Sequence, residues 1–264
     1  NLALHVTGQR ADGYHLLDSM VVFAGTGDQV SLSPGPLSLV AEGAYAHALT
    51  PGRNLCLDAA RLAGAEAAIR LVKNLPVAGG IGGGSADAAA VLRGLARMGV
   101  ALPAQPERLG ADLPVCLAGR PARMRGTGEV LDPLPPLPEL HLVLVNPGLP
   151  LSTPDVFRAL TRKDNPPLPP MPARFDPAGL AGYLGTCRND LEAPAIAICP
   201  AIASVLRALR DEGALLARMS GSGATCFGLF DSAQAAGLAA YRIGTGGDDW
   251  WVTATGLAPA PGFG

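Results

Sequence analysis

The chain has 264 residues, 48% hydrophobic and only 16% charged, with a mean hydropathy of +0.27 and a formal net charge of −2. Its 34 glycines and 25 prolines make up more than a fifth of it, against a background of about 12%. These figures exclude a collagen repeat, since the glycines have no period of three, and a disordered chain, which is poor in aliphatics and rich in charge. A membrane-spanning helix needs about 20 unbroken apolar residues. The best stretches, Ala88–Leu95 and Leu140–Val145, are short and soon broken by Arg, Asn or Pro. There is no general basic field, so nucleic acid is not an expected partner. Five cysteines without a CxxC pair, and four histidines without a close pair, argue against a disulfide scaffold or a Cys/His zinc site. A reducing, cytoplasmic setting is expected. The chain opens at Asn1 without a methionine, so its start is expected upstream.

In chain order, Leu2–Thr7 alternates apolar and polar residues and predicts a strand, followed by a polar turn over Gly8–Gly13. Strands are predicted at Met20–Phe23 and Gln29–Leu32, with a turn at Gly25–Asp28 between them. Asn54 is placed to cap a helix from Leu55 to about Ala63. Ala68–Val72 predicts a strand, and a glycine-rich loop leads into a helix from about Ser85 to Met98. On that helix Ala88, Val91, Leu92 and Leu95 share a face. Strands are predicted at Pro121–Arg125 and His141–Asn146, joined through a proline-rich connection at Pro133–Pro138. Pro154–Leu160 predicts a short helix, and Asn165–Pro172 an extended, mobile segment. Helices near Ala201–Asp211 and Ser232–Tyr241 alternate with strands at Leu216–Arg218, Thr225–Phe230 and Trp250–Thr255. Strands and helices mix without a steady βαβ rhythm, which predicts an α+β fold. A composition shift near Asn146–Pro154 places the domain boundary between residues 148 and 149, giving domains 1–148 and 149–264.

The most informative segment is PVAGGIGGGSA, Pro76–Ala86. Glycines let backbone N–H groups come close to a phosphate, and a helix N-terminus adds about half a positive charge. The segment is neither a Walker A loop, which needs GxxxxGK[ST], nor a GxGxxG dinucleotide fingerprint. Asp87, just inside the helix, repels a phosphate and is expected to point aside. A second glycine-rich segment, MSGSGAT at Met219–Thr225, is a weak signal alone and reads as a tight turn between strands. Paired with the first loop it would cover the same phosphates.

Asp112 sits in LGADLPV, where spacing favours a helix cap because Pro114 falls in the first turn that follows. The functional alternative is a base that accepts a hydroxyl proton as the oxygen attacks phosphorus. The turn GQRADGYH presents Tyr14 and His15, suited either to anchor the loop or to bind a flat ring. Phe157 would ordinarily belong to a core.

Taken together, NLALHVTGQRADGYH, LPVAGGIGGGSADAA, LGADLPV, PGLPLSTPDVF, RNDLE and MSGSGATCF resemble the 4-diphosphocytidyl-2-C-methyl-D-erythritol kinase family of the GHMP (galacto-, homoserine, mevalonate, phosphomevalonate) kinases. The resemblance runs from Asn1 to about Asp231. It implies a two-domain GHMP kinase fold with the active site in the interdomain cleft. It also implies ATP-dependent phosphorylation of the substrate's 2-hydroxyl in non-mevalonate isoprenoid precursor synthesis. By resemblance Asp112 is catalytic. The ATP contacts are Asn54, then Pro76, Val77, Ala78, Gly79, Gly80, Ile81, Gly82, Gly83, Gly84, Ser85 and Ala86, with Gly221 and Gly223 from the third motif. Tyr14 and Phe157 would sandwich the cytosine, His15 would bond its edge, and Asn1 and Thr153 would add substrate contacts. Mg²⁺ is expected with ATP, its ligands unassigned. The small-molecule cytidyl substrate is the expected partner, with no membrane and no nucleic acid. The family's second catalytic residue, a lysine, would lie two positions before Asn1. Ala86 stands where a serine is commoner, and the stretches Leu102–Gly110 and Gly244–Asp248 are shorter than the family's. Homoserine- or mevalonate-type kinases and a non-catalytic nucleotide-binding relative are the rival readings.

Overall fold

The computed structural model describes residues 1–50, 52, 54–77, 79–247 and 249–259. Its elements run β1 (Ala3–Gln9), β2 (His15–Val21), β3 (Gln29–Ser33), β4 (Ser38–Glu42), α1 (Leu55–Leu62), β5 (Ala68–Val72) and α2 (Gly83–Arg97). They continue with α3 (Leu113–Ala118), β6 (Ala122–Gly126), β7 (Val130–Pro133), β8 (His141–Asn146), α4 (Thr153–Arg158), α5 (Pro177–Thr186) and α6 (Glu192–Ile198). The chain closes with α7 (Ala201–Asp211), β9 (Leu216–Met219), β10 (Cys226–Phe230), α8 (Ala233–Gly244) and β11 (Trp251–Thr255). The mixture is α+β, as the sequence predicts.

Two compact units emerge. One comprises residues 27–77 with 82–120; the other comprises 1–26, 79–81 and everything from 121 onward.

In the smaller unit β5 is the central strand, antiparallel to β3 and parallel to β4. Residues 54–62 form a helix because Asn54 caps it, its side-chain oxygen accepting from the Cys56 amide at 2.8 Å. α2 buries Ala88, Val91, Leu92 and Leu95, the predicted stripe. Arg93 on α2 donates to the Cys116 carbonyl at 2.6 Å and ties α2 to α3.

The larger unit holds two four-stranded antiparallel sheets, ordered β1-β2-β6-β7 and β11-β8-β10-β9. One core cluster joins them: Leu2, Ala3 and Met20 from the first sheet, Leu142, Leu144, Phe227 and Leu229 from the second, and Leu180 and Leu184 from α5. α7 packs on β9 and β10 through Ile202, Val205, Leu206 and Leu209, all buried at helical spacing.

Two expectations need correction. The Asn165–Pro172 segment is extended but pinned: Leu168 is buried and donates its amide to Asp18 at 2.9 Å, and Asn165 donates to the Val6 carbonyl at 3.1 Å. Pro133 belongs to edge strand β7, paired with Ala122, because an edge position does not need its missing N–H. α6 carries Pro194 in its first turn, where the missing N–H costs nothing.

Candidate active site

α2 starts two residues earlier than predicted, at Gly83, with Gly82 before it in the left-handed region at φ 69°. Its first turn therefore opens on Gly83 and Gly84, and no side chain caps it. The first N–H groups of a helix lack intrahelical partners, and here no side chain caps them, which suits an anion. Asp87 falls at the fifth helical position and is buried. It bonds Lys73 Nζ at 2.9 Å and so is turned away from the opening, as expected.

Lys73 is the residue that sequence reasoning missed. Its side chain is 4% exposed, yet its ammonium is paired with both Asp28 and Asp87. Asp28 also accepts the amides of Asn74 (2.6 Å) and Leu75 (2.9 Å). Asp87 has Lys73 alone, and burial pushes its carboxyl up to about 6 despite that cation. The Lys73 ammonium lies 3.4 Å from where a Cβ on Gly83 would sit, so this ion cluster buttresses the first turn of α2. The only sequence clue was Asp87 itself, an acid beside a phosphate-type loop that requires a cation elsewhere.

Asp112 occupies the cap position of α3 but its side chain caps nothing. Its backbone is helical there (φ −83°, ψ −8°), which turns the carboxylate away from the α3 amides. The spacing argument for a cap thus fails on geometry. The Asp112 Oδ2 stands 3.9 Å from where a Cβ on Gly82 would lie, and burial raises its pKa above the ordinary carboxylate range. Burial also pushes the Cys56 and Cys116 thiols up to about 12, so neither is a nucleophile near neutral pH. Asn54 lines a pocket of about 340 Å³ together with Leu39, Ala41, Leu49, Leu57 and Arg61.

In the larger unit the two glycine-rich segments meet. The Thr225 amide donates to the Gly79 carbonyl at 3.0 Å. A Cβ on Gly80 would lie 2.0 Å from the Gly223 carbonyl oxygen, and one on Gly221 would lie 2.7 Å from the Gly80 oxygen. Both positions also have positive φ, so only glycine fits. The second segment is the hairpin loop between β9 and β10. Asn1 and Thr153 both engage its serines: the Asn1 nitrogen donates to Ser220 Oγ at 2.8 Å, and Thr153 Oγ1 lies 2.7 Å from Ser222 Oγ.

The Phe157 ring stacks on His15, centroids 4.8 Å apart at 28°, while Tyr14 is 65% exposed at the end of its turn. His15 Nε2 is buried with no hydrogen-bond partner among the described residues. Burial, then the nearby Lys163 charge, lowers the His15 pKa, which favours a neutral ring. Ala78, one of the predicted ATP contacts, lies outside the described residues, as does Asp248.

Two family models place the chain in a class of small-molecule kinases. The GHMP kinases N terminal domain family matches residues 52–120, and the GHMP kinases C terminal family matches residues 174–248. The chain is 65% identical over 262 residues to 4-diphosphocytidyl-2-C-methyl-D-erythritol kinase of Paracoccus denitrificans, covering 98% of this chain and 94% of that one. Its counterpart in Cereibacter sphaeroides is 58% identical over 261 residues, covering 96% and 94%. A crystal structure of 4-(cytidine 5'-diphospho)-2C-methyl-D-erythritol kinase superposes with a TM-score of 0.77 at 34% identity, over 98% of this chain and 96% of that one. Homoserine kinase from Cytophaga hutchinsonii shares the fold, at a TM-score of 0.63 and 18% identity over 92% and 90%. The chain belongs to the 4-diphosphocytidyl-2-C-methyl-D-erythritol kinase family.

Proposed function

We propose that this protein transfers the γ-phosphoryl group of ATP to the 2-hydroxyl of 4-diphosphocytidyl-2-C-methyl-D-erythritol, a step of non-mevalonate isoprenoid precursor synthesis. Family membership supports the activity. The structural observation that carries the mechanism is the Asp112 carboxylate, unused by its own helix and beside the uncapped, all-glycine start of α2.

In this reading the backbone donors of Gly83, Gly84 and Ser85, with the α2 dipole, hold the ATP phosphates. Pro76 through Gly82 shape the approach, and Gly221 and Gly223 add further ATP contacts. The pocket at Asn54 takes the adenine. Asp112 accepts the proton of the attacking hydroxyl, and ADP leaves as the new phosphate ester forms. Its raised pKa makes it a better proton acceptor than an ordinary carboxylate, provided it is ionised. Little covalent chemistry is asked of the protein, so positioning and charge neutralisation dominate.

The described residues contain no group of three or more His, Cys, Asp or Glu side chains fit to cage a metal ion. That fits Mg²⁺ carried on the phosphates, where it would neutralise charge. His15 Nε2, buried and unpaired, is the group that gains most from a bonded cytosine edge, with Phe157 already against the same imidazole and Tyr14 free to close from solvent. Residues 1–148 would then carry the ATP loop and 149–264 the second glycine loop. No helix among the described residues is long and apolar enough to cross a membrane. We place the enzyme in the cytoplasm, where ATP is available and its five unpaired, buried cysteines would stay reduced.

The test is Asp112→Asn in the full-length enzyme. Loss of a general base should lower the turnover rate by about 10²–10⁴-fold with little change in ATP affinity. A variant as active as wild type would remove Asp112 from the mechanism.

A further inference from the structure

The RNDLE segment (Arg188 to Glu192) lies outside every role assigned above, yet it touches the second glycine loop directly. Asn189 is buried, and its side-chain amide donates twice, to the Met219 carbonyl and to the Gly221 carbonyl, both at 2.8 Å. Its oxygen accepts the Leu191 amide at 3.0 Å, which fixes the orientation of the carboxamide. Glu192 accepts the Met219 amide at 2.8 Å. Met219 is the last residue of β9, and Gly221 has a φ of 54°. The loop is thus gripped at its first bend, on the strand side by Glu192 and at both carbonyls by Asn189. Asp190 faces the other way and accepts the Val6 amide at 2.8 Å, holding β1 instead.

We infer that Asn189 is the positioning residue of the second glycine loop: by holding the Met219 and Gly221 carbonyls it sets the conformation in which that loop contacts ATP. Two donors on one rigid amide satisfy two carbonyls that an aliphatic side chain would leave buried and unpaired. The grip leaves the loop's glycines free of side chains on the Gly80 face. The inference rests on the assignment of Gly221 and Gly223 to ATP, and it adds a residue that touches no ligand.

The experiment measures the affinity of full-length protein for the non-hydrolysable nucleotide AMP-PNP, KM for both substrates and the melting temperature, for wild type and four variants. Asn189→Ala removes both donors and should weaken AMP-PNP binding and raise KM for ATP by about tenfold, while KM for the cytidyl substrate changes by less than twofold. Asn189→Asp keeps the shape but sets a carboxylate against two carbonyl oxygens, so its loss should be larger, about a hundredfold. Asp190→Asn should lower the melting temperature and leave AMP-PNP affinity within twofold. Glu192→Gln, a gentler change that retains the fold if the Asn189 variants do not, should weaken AMP-PNP binding about threefold. Asn189 or Glu192 variants that melt earlier yet bind AMP-PNP like wild type overturn the inference, as does an equal rise in both KM values. A wild type that binds AMP-PNP without phosphorylating the cytidyl substrate overturns the proposed function while the binding comparison still decides the role of Asn189. A wild type that binds no AMP-PNP overturns both.

Discussion

The two glycine-rich segments are supported by opposite means. The start of α2 leans on a buried ion cluster, Lys73 between Asp28 and Asp87. The β9–β10 loop leans on hydrogen bonds of fixed geometry: the Asn189 amide, the Glu192 carboxylate on the Met219 amide at 2.8 Å, the Asn146 amide on Thr225 at 2.8 Å, and the Gly79–Gly80 backbone itself. Charge under a helix N-terminus can be tolerated only if it is paired within the protein, because an unpaired carboxylate there would compete with phosphate for the same N–H groups. A hairpin loop has no dipole to complement, so hydrogen bonds of fixed geometry suffice. The difference teaches that one loop is held by electrostatics, sensitive to pH, and the other by shape.

The contrast predicts where each loop breaks. Gly80→Ala should be the most damaging, since the new Cβ meets the Gly223 backbone at 2.0 Å and neither loop can retreat without moving the other. ATP-dependent activity should fall by more than about a hundredfold, and thermal unfolding should show a loss of several kcal/mol, of the order set by overpacking and strain. Lys73→Met strands two buried carboxylates and should cost about 3–5 kcal/mol in a denaturant titration. Asp87→Asn should cost less, because Lys73 keeps Asp28. Tyr14→Ala and Phe157→Ala should each raise KM for the cytidyl substrate by about tenfold, of the order of 1–3 kcal/mol per stacked base, and leave KM for ATP unchanged. An unchanged cytidyl KM in both would remove the clamp.

The smallest effect is the most specific to the comparison. Burial pushes the Asp87 carboxyl up to about 6 in the folded protein, above its ordinary 3.8, so the native state binds the extra proton. Its contribution to stability therefore grows as pH falls from about 6 to about 4. In the larger unit His5 has the opposite sign. It is fully buried, with Nε2 accepting the Arg188 amide at 2.9 Å and Nδ1 against the Pro166 carbonyl at 3.0 Å. That pairing requires the neutral Nδ1–H tautomer. Burial, with the Arg188 charge opposing protonation and the Pro166 and Pro167 carbonyls and Asp190 favouring it, lowers its pKa on balance. Below the unfolded value of about 6.5 the unfolded chain takes up a proton that the native state refuses, so stability is lost on acidification. Stability measured against pH should lose the first slope in Asp87→Asn and the second in His5→Asn.

Much of the fold was legible because local rules and burial agree. The run at His141–Asn146 and the stripe on Ala201–Asp211 became β8 and α7 at the predicted bounds. α5 escaped because PAGLAGYLGT has three glycines and no clear stripe; Asp176 caps it at the Gly179 amide, 2.6 Å away. β4 escaped because it is mostly exposed and exists only through its pairing with β5. For the site, glycine clusters and their resemblance to a family marked the loops. What spacing could not carry was partnership across the chain: Lys73 with Asp28, Asn189 with Gly221, Phe157 with His15. Asp112 looked like a cap because composition reports position in the chain and says nothing of ψ.

The most direct measurement of the central claim is a phosphorylation assay on the full-length enzyme with γ-labelled ATP and Mg²⁺, offering the cytidyl diphosphate substrate, homoserine and mevalonate in parallel. Label should appear on the 2-hydroxyl of the cytidyl substrate, with one ADP formed per ester, and on neither of the others. Transfer to homoserine or mevalonate in preference, or ADP release without any phosphate ester, would contradict it.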